Sequence, residues 1–167
     1  MRAACLAIGI AVLGSSGCEK SASSTPGQAR GYTIEPADYG ENANAPEKTR
    51  ARCKFEMRVS QELAAAIEAR GTGDGADKRI ALTVVRMDGA EPAWEGVMNV
   101  LVEGELVAHG DRTAGFSVRG SSRPGVGGGQ SGVCAGLDDI AEQMAEAIVP
   151  WLADPKDGAE LDAREPE

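Results

Sequence analysis

The sequence predicts an α+β domain, a three-stranded antiparallel meander covered on one face by two helices in the order α-β-β-β-α. Three observations carry that expectation. Residues 79–119 hold three runs in which apolar and polar side chains alternate, the pattern of strands with one covered and one wet face. On either side lie segments whose apolar residues recur every three to four positions, as on an amphipathic helix. Residues 51–153 give about one hundred positions for a core, enough for a single domain.

Each element follows from its own pattern. From Cys53 to Ala69 the apolar positions Phe55, Val59, Leu63 and Ile67 fall on one helix face, which predicts a helix over 54–70. The first half also alternates at Cys53, Phe55, Met57 and Val59. An extra N-terminal strand, with Ser60 capping a shorter helix, is therefore the competing reading. The glycines from Gly71 to Gly75 end the segment. Arg79–Met87 reads as a strand with Ile80, Leu82 and Val84 on one face, and Asp88–Pro92 as a turn. In Trp94–Ala108, residues Met98, Val100, Val102, Leu106 and Ala108 face one way and Asn99, Glu103 and Glu105 the other. Gly104 suggests a bend or bulge there.

His109–Arg112 turns the chain into Thr113–Arg119, with Ala114, Phe116 and Val118 inward and Ser117 and Arg119 outward. Gly120–Gly132 reads as a glycine-rich loop. Leu137, Ile140, Met144, Ile148 and Trp151 then recur at helical spacing. Asp138, Asp139 and Glu142 stand near the predicted helix start, where the dipole favours anions. Pro150 is expected to loosen the last turn.

The flanks read as unfolded. Glu19 to Arg50 is rich in Ser, Thr, Pro, Gly, Asn and Ala, with Tyr32, Ile34 and Tyr39 its only sizeable apolar residues. Such a stretch buries too little surface to offset the entropy of ordering it. It predicts a disordered linker over 18–50 with a reach of roughly 30 Å, or a short docking motif at Gly31–Tyr39. Residues 154–167 carry six acidic and two basic side chains and predict a disordered acidic tail.

The N-terminus opens with Arg2 and an apolar run, Ala3–Leu13, whose length of about eleven residues is that of a signal core and too short to span a bilayer. It closes on Leu13-Gly14-Ser15-Ser16-Gly17-Cys18. This stretch resembles the signal of bacterial lipoproteins. The resemblance covers residues 1–18 and implies that 1–17 leave as a signal peptide and that Cys18 carries lipid. The domain would then hang from a membrane of the cell envelope. Lipoproteins of Gram-negative bacteria kept at the inner membrane often carry Asp at the next position, so Glu19 implies the outer membrane by the same resemblance. Ser15 and Gly17 are also small enough for an ordinary signal peptidase, which leaves open a soluble periplasmic or secreted product. A retained N-terminal anchor is a third reading. Residues 50–153 are also similar in layout to small α+β domains of envelope lipoproteins, through Trp94-Glu95-Gly96, the hairpin, Cys134 and the closing helix. That likeness implies no functional residue.

Four cysteines occur, Cys5, Cys18, Cys53 and Cys134. Cys5 would leave with the leader, and if Cys18 takes lipid, two remain. In an oxidising compartment two exported cysteines most simply pair. A Cys53–Cys134 disulfide closes a loop of about eighty residues, worth on the order of 3–5 kcal/mol in the chain-entropy model. Two buried free thiols are the alternative. The isolated cysteines and a lone histidine, His109, offer no metal-ligand set.

No candidate chemistry outweighs its structural reading. Gly127-Gly128-Gly129-Gln130-Ser131-Gly132 matches G-x-G-x-x-G, but no βαβ unit surrounds it and no Lys-Ser or Lys-Thr pair follows. His109 sits in a turn beside Gly110 and Asp111. Ser117 and Ser121 lack the G-x-S-x-G setting of an activated nucleophile. Asp74 and Asp77 miss the spacing of a calcium loop. Glu103 and Glu105 could split acid and base roles, yet read better as a solvated strand face. Trp94 and Trp151 read as packing residues. The expectation is a binding or assembly-accessory module without catalytic residues, cofactor or metal, and the alternative is a secreted or periplasmic enzyme.

Net charge is −9, and −10 once Arg2 is lost with the leader. Such a chain is repelled by nucleic acid and by anionic headgroups. The sign suits a basic or neutral envelope protein as partner, and nothing in the sequence sets an oligomeric state.

Overall fold

The computed structural model describes residues 27–72, 77–92, 96–124 and 128–163. In chain order the elements are β1 (Gly27–Ala29), β2 (Tyr32–Ile34), β3 (Asp38–Tyr39), α1 (Glu47–Cys53), α2 (Phe55–Arg70), β4 (Lys78–Asp88), β5 (Met98–Ala108), β6 (Asp111–Ser122), α3 (Gly129–Trp151) and β7 (Ala159–Asp162). The strands form one seven-stranded sheet in the order β1-β2-β4-β5-β6-β7, with β3 also paired to β4. The three long strands are the antiparallel meander of the sequence reading. β2 and β3 run parallel to β4, and β7 parallel to β6.

The meander is built by alternation. Ile80, Leu82 and Val84 from β4, Met98, Val100, Val102 and Leu106 from β5, and Ala114, Phe116 and Val118 from β6 are all buried on one face. A bulge between Val84 and Arg86 changes the phase of β4, so that Met87 rather than Arg86 turns inward. β5 and β6 join through a two-residue turn. His109 (φ 54°) and Gly110 (φ 91°) are both left-handed, the demand of the tight turn whose twist matches its flanking strands. Gly104 makes no bulge, contrary to the sequence reading; the register shift in this pair lies between Leu106 and Val107. Gly104 faces the core, and a β-carbon there would collide with the Phe116 ring.

The helix stripes cover that face. Phe55, Val59, Leu63 and Ile67 of α2 are essentially inaccessible to solvent, and each stabilises the fold by about 1.5–3 kcal/mol through burial. The rival strand at Cys53–Val59 is excluded. Lys54 (φ 48°) separates α1 from α2, and Ser60 lies within α2 as no cap, its Oγ donating to the Glu35 carbonyl at 2.7 Å. α3 buries Leu137, Ile140, Met144, Ile148 and Trp151 and packs beside α2. It begins at Gly129, inside the segment read as loop. Asp138, Asp139 and Glu142 therefore lie more than two turns into the helix, too far in to answer its dipole. Pro150 falls in the last turn.

Both flanks differ from the sequence reading. The linker expected over 18–50 is folded from Gly27 onward. Ala29, Tyr32, Ile34 and Ala37 are buried, β2 pairs with both β1 and β4 and β3 with β4, and Thr49 of α1 donates to the Ala90 carbonyl at 2.8 Å. A strand added to an existing sheet needs few apolar residues of its own, because its neighbour satisfies the backbone. The acidic tail is likewise a strand over Ala159–Asp162. Trp151 Nε1 donates to the Lys156 carbonyl at 3.0 Å, and Asp157 accepts the Gly115 amide at 2.8 Å. The folded unit is thus wider than residues 51–153. Cys53, the last residue of α1, is disulfide-bonded to Cys134 in the second turn of α3, with Cα atoms 5.0 Å apart.

Candidate functional site

The helices α2 and α3 pack on one face of the sheet, and on the opposite face exposed residues such as Glu103, Arg119 and Glu160 stand beside half-buried ones such as Thr83, Leu101 and Ser117. Its make-up follows from the strand registers. Asp38 pairs with Thr83, Thr83 with Glu103, Glu103 with Ser117, and Ser117 with Glu160. Side chains at paired positions share a face, so one row across β3, β4, β5, β6 and β7 reads acid, hydroxyl, acid, hydroxyl, acid. Asp38, Glu103 and Glu160 are exposed. Strand spacing places successive carboxylates about 9–10 Å apart at their α-carbons.

Three cations of this face are engaged in ion pairs. Arg79 pairs with Glu35 at 3.1 Å, and Arg86 with Asp88. Arg112 pairs with Glu105 at 3.0 Å and with Asp157 at 2.8 Å. Asp38, Glu103 and Glu160 have no ion-pair partner among the described residues. Arg119 lies one row away on the same face, in register with Asp162. Leu101, half-buried, lies in register with Arg119.

Arg112 builds a local clamp. Its guanidinium passes over Gly115, where a β-carbon would strike it, and its hydrogen bond and charge hold the Asp157 carboxyl below the ordinary carboxylate range. The Gly158 amide donates to the Gly115 carbonyl at 2.8 Å and the Ala163 amide to the Arg119 carbonyl at 2.8 Å. Those contacts bracket β7 and place Glu160 on the open face.

A polar hollow of about 500 Å³ lies beside the β3–α1 connection, bordered by Tyr39, Asn44, Pro46, Arg50 and Glu91. The Tyr39 hydroxyl donates to Glu56 Oε2 at 3.0 Å, and the Arg50 guanidinium rests 4.1 Å from the ring centroid. Burial first, then the Glu56 charge, pushes the Tyr39 phenol well above its ordinary value. Tyr39 therefore stays protonated and serves as a packing and hydrogen-bonding group. Between the helices, Arg58 Nε approaches Asp138 Oδ1 at 3.1 Å. The N–H is not aimed at an acceptor, so this contact is an ion pair without a hydrogen bond. Burial raises the Asp138 carboxyl despite the Arg58 charge.

The residues weighed in the sequence fall apart in space. His109 stands exposed in the β5–β6 turn, about 20 Å along β6 from Ser117. Glu103 and Glu105 share a face, but Glu105 is tied to Arg112 and Glu103 is not. Trp151 packs against Phe116, ring centroids 4.7 Å apart. Cys18, Asp74, Trp94 and Gly127 lie outside the described residues. No group of three or more His, Cys, Asp or Glu able to hold a metal occurs among the described residues. Asp38 and Glu160 were missed because both fell in segments read as unfolded. The alternation in Tyr32-Thr33-Ile34 and in Ala159-Glu160-Leu161-Asp162 was the available signal.

No family model matches the chain, and no curated protein matches it. Solved structures similar to the chain include two of bacterial proteins. One is a candidate lipoprotein from Caulobacter crescentus CB15, 15% identical, with a TM-score of 0.49, covering 74% of this chain and 89% of that one. The other is a Xanthomonas campestris protein of the DUF330 family, 11% identical, with a TM-score of 0.47, covering 77% and 86%. Neither likeness assigns an activity.

Proposed function

We propose that the protein is a lipid-anchored component of the cell envelope, held at the outer membrane through Cys18, whose domain binds another envelope component. The use of the cysteines carries this reading. Of the three that would follow cleavage of the leader, Cys53 and Cys134 bond to each other. Cys18 is left for the fate that its Ser-Ser-Gly-Cys setting implies. A disulfide also suits an exported protein. No helix among the described residues is long and apolar enough to cross a membrane.

The fold sharpens the reading. Only residues 19–26 separate Cys18 from β1, and eight residues span at most about 29 Å. The domain then works close to the surface that holds it, and its partner lies at that same surface. We read it as a binding module and not an enzyme, with the open face of the sheet as its working surface. The test is membrane partitioning of the full-length protein in a Gram-negative host. Wild type should pellet with envelope membranes and Cys18→Ala should move to the soluble periplasmic fraction. Recovery of the wild type in the soluble fraction contradicts the anchor.

A further inference from the structure

We propose that the open face of the sheet docks a basic α-helix of a partner protein, laid across the strands along the row Asp38, Thr83, Glu103, Ser117 and Glu160. This rests on the binding-module reading and names the chemistry of the partner. Among the described residues no helix covers this face, while its opposite carries α2 and α3. The intervening positions of the row, Thr83 and Ser117, carry small hydroxyl side chains, which leaves room for a helix about 10 Å across.

Charge complementarity selects the occupant. Arg79, Arg86 and Arg112 are each held by a carboxylate of the protein itself and Arg119 stands in register with Asp162, whereas the three carboxylates of the row have no ion-pair partner among the described residues. Their spacing of about 9–10 Å lies near the rise of about 10.5 Å between every seventh residue of a helix. Lysine or arginine at that interval meets Asp38, Glu103 and Glu160 in turn. Nucleic acid and anionic headgroups are repelled by the same row.

The test uses the mature protein with Cys18→Ala, so that its outcome is independent of lipidation. The probe is a fluorescent three-heptad helical peptide with lysine at every seventh position, titrated by anisotropy at low salt. Circular dichroism checks that each variant is folded. Glu103→Gln with Glu160→Gln, both exposed and isosteric, should weaken binding by roughly fivefold. Glu142→Gln with Glu146→Gln, on the exposed side of α3, should leave it unchanged. Equal loss in both double variants shows attraction to overall negative charge and overturns the proposal, as does no loss in the first. A peptide with the same lysines at every fifth position should bind more weakly, and equal binding contradicts the proposed spacing.

Discussion

The centre of the sheet and its edges are held by different means. β4, β5, β6, α2 and α3 share a dry interior in which Ile80, Val102, Ile140 and Met144 are among the inaccessible side chains. β7, at one margin, has alternating half-buried and exposed residues and is fixed by backbone pairing and by the Arg112–Asp157 contact. β1, at the other margin, is three residues long. Its turn is held by Glu68, whose carboxylate accepts the Arg30 amide at 2.8 Å. An element that supplies its own apolar stripe is specified by its own sequence. An element that borrows hydrogen bonds from a neighbour is specified by where that neighbour ends.

The largest expected effect lies in the centre. Phe116→Ala removes the ring that fills the space left by Gly104 and packs on Trp151, and should destabilise the protein by about 3–5 kcal/mol in urea unfolding. A loss below about 1 kcal/mol would show that this part of the core is loose. Next comes the staple between centre and margin. Cys53→Ala with Cys134→Ala opens the bond between α1 and α3 and should cost about 2–5 kcal/mol. Amide exchange should rise first in α1, a short helix, and later in β5. Uniform acceleration would mean that α1 is no weaker than the meander.

The smallest effect should come at the edge. Arg112→Ala should speed exchange of the Gly158 and Ala163 amides while leaving Val102 protected, with little change in global stability. The pH dependence of this clamp has a definite sign. The folded Asp157 carboxyl lies below its ordinary value, chiefly through its hydrogen bond with Arg112. Its contribution is therefore complete above the unfolded value of about 3.9 and is lost as pH falls through the lower folded value. Protection at Gly158 that fades above that range would show that another group controls β7.

The same contrast explains what was legible in the sequence. The stripe Phe55, Val59, Leu63, Ile67 and the alternation in Arg79–Met87 are repeats within one segment, and both elements were readable with nearly correct limits. The pairing of Cys53 with Cys134 followed from counting. Tyr32, Ile34 and Leu161 are too few to announce a strand, and their order comes from β4 and β6. The bulge at Val84/Arg86 leaves no trace in composition. Of the row on the open face, Glu103 was visible as outward-facing. Its alignment with Asp38 and Glu160 is a property of registers across five strands, which no single segment encodes.

The most direct test is the intact mass of the protein recovered from envelope membranes, measured with and without reductant. The account predicts a chain that begins at Cys18 with a triacyl addition and gains two hydrogens on reduction. A chain that begins elsewhere, without lipid, would contradict the anchor on which the proposed function rests.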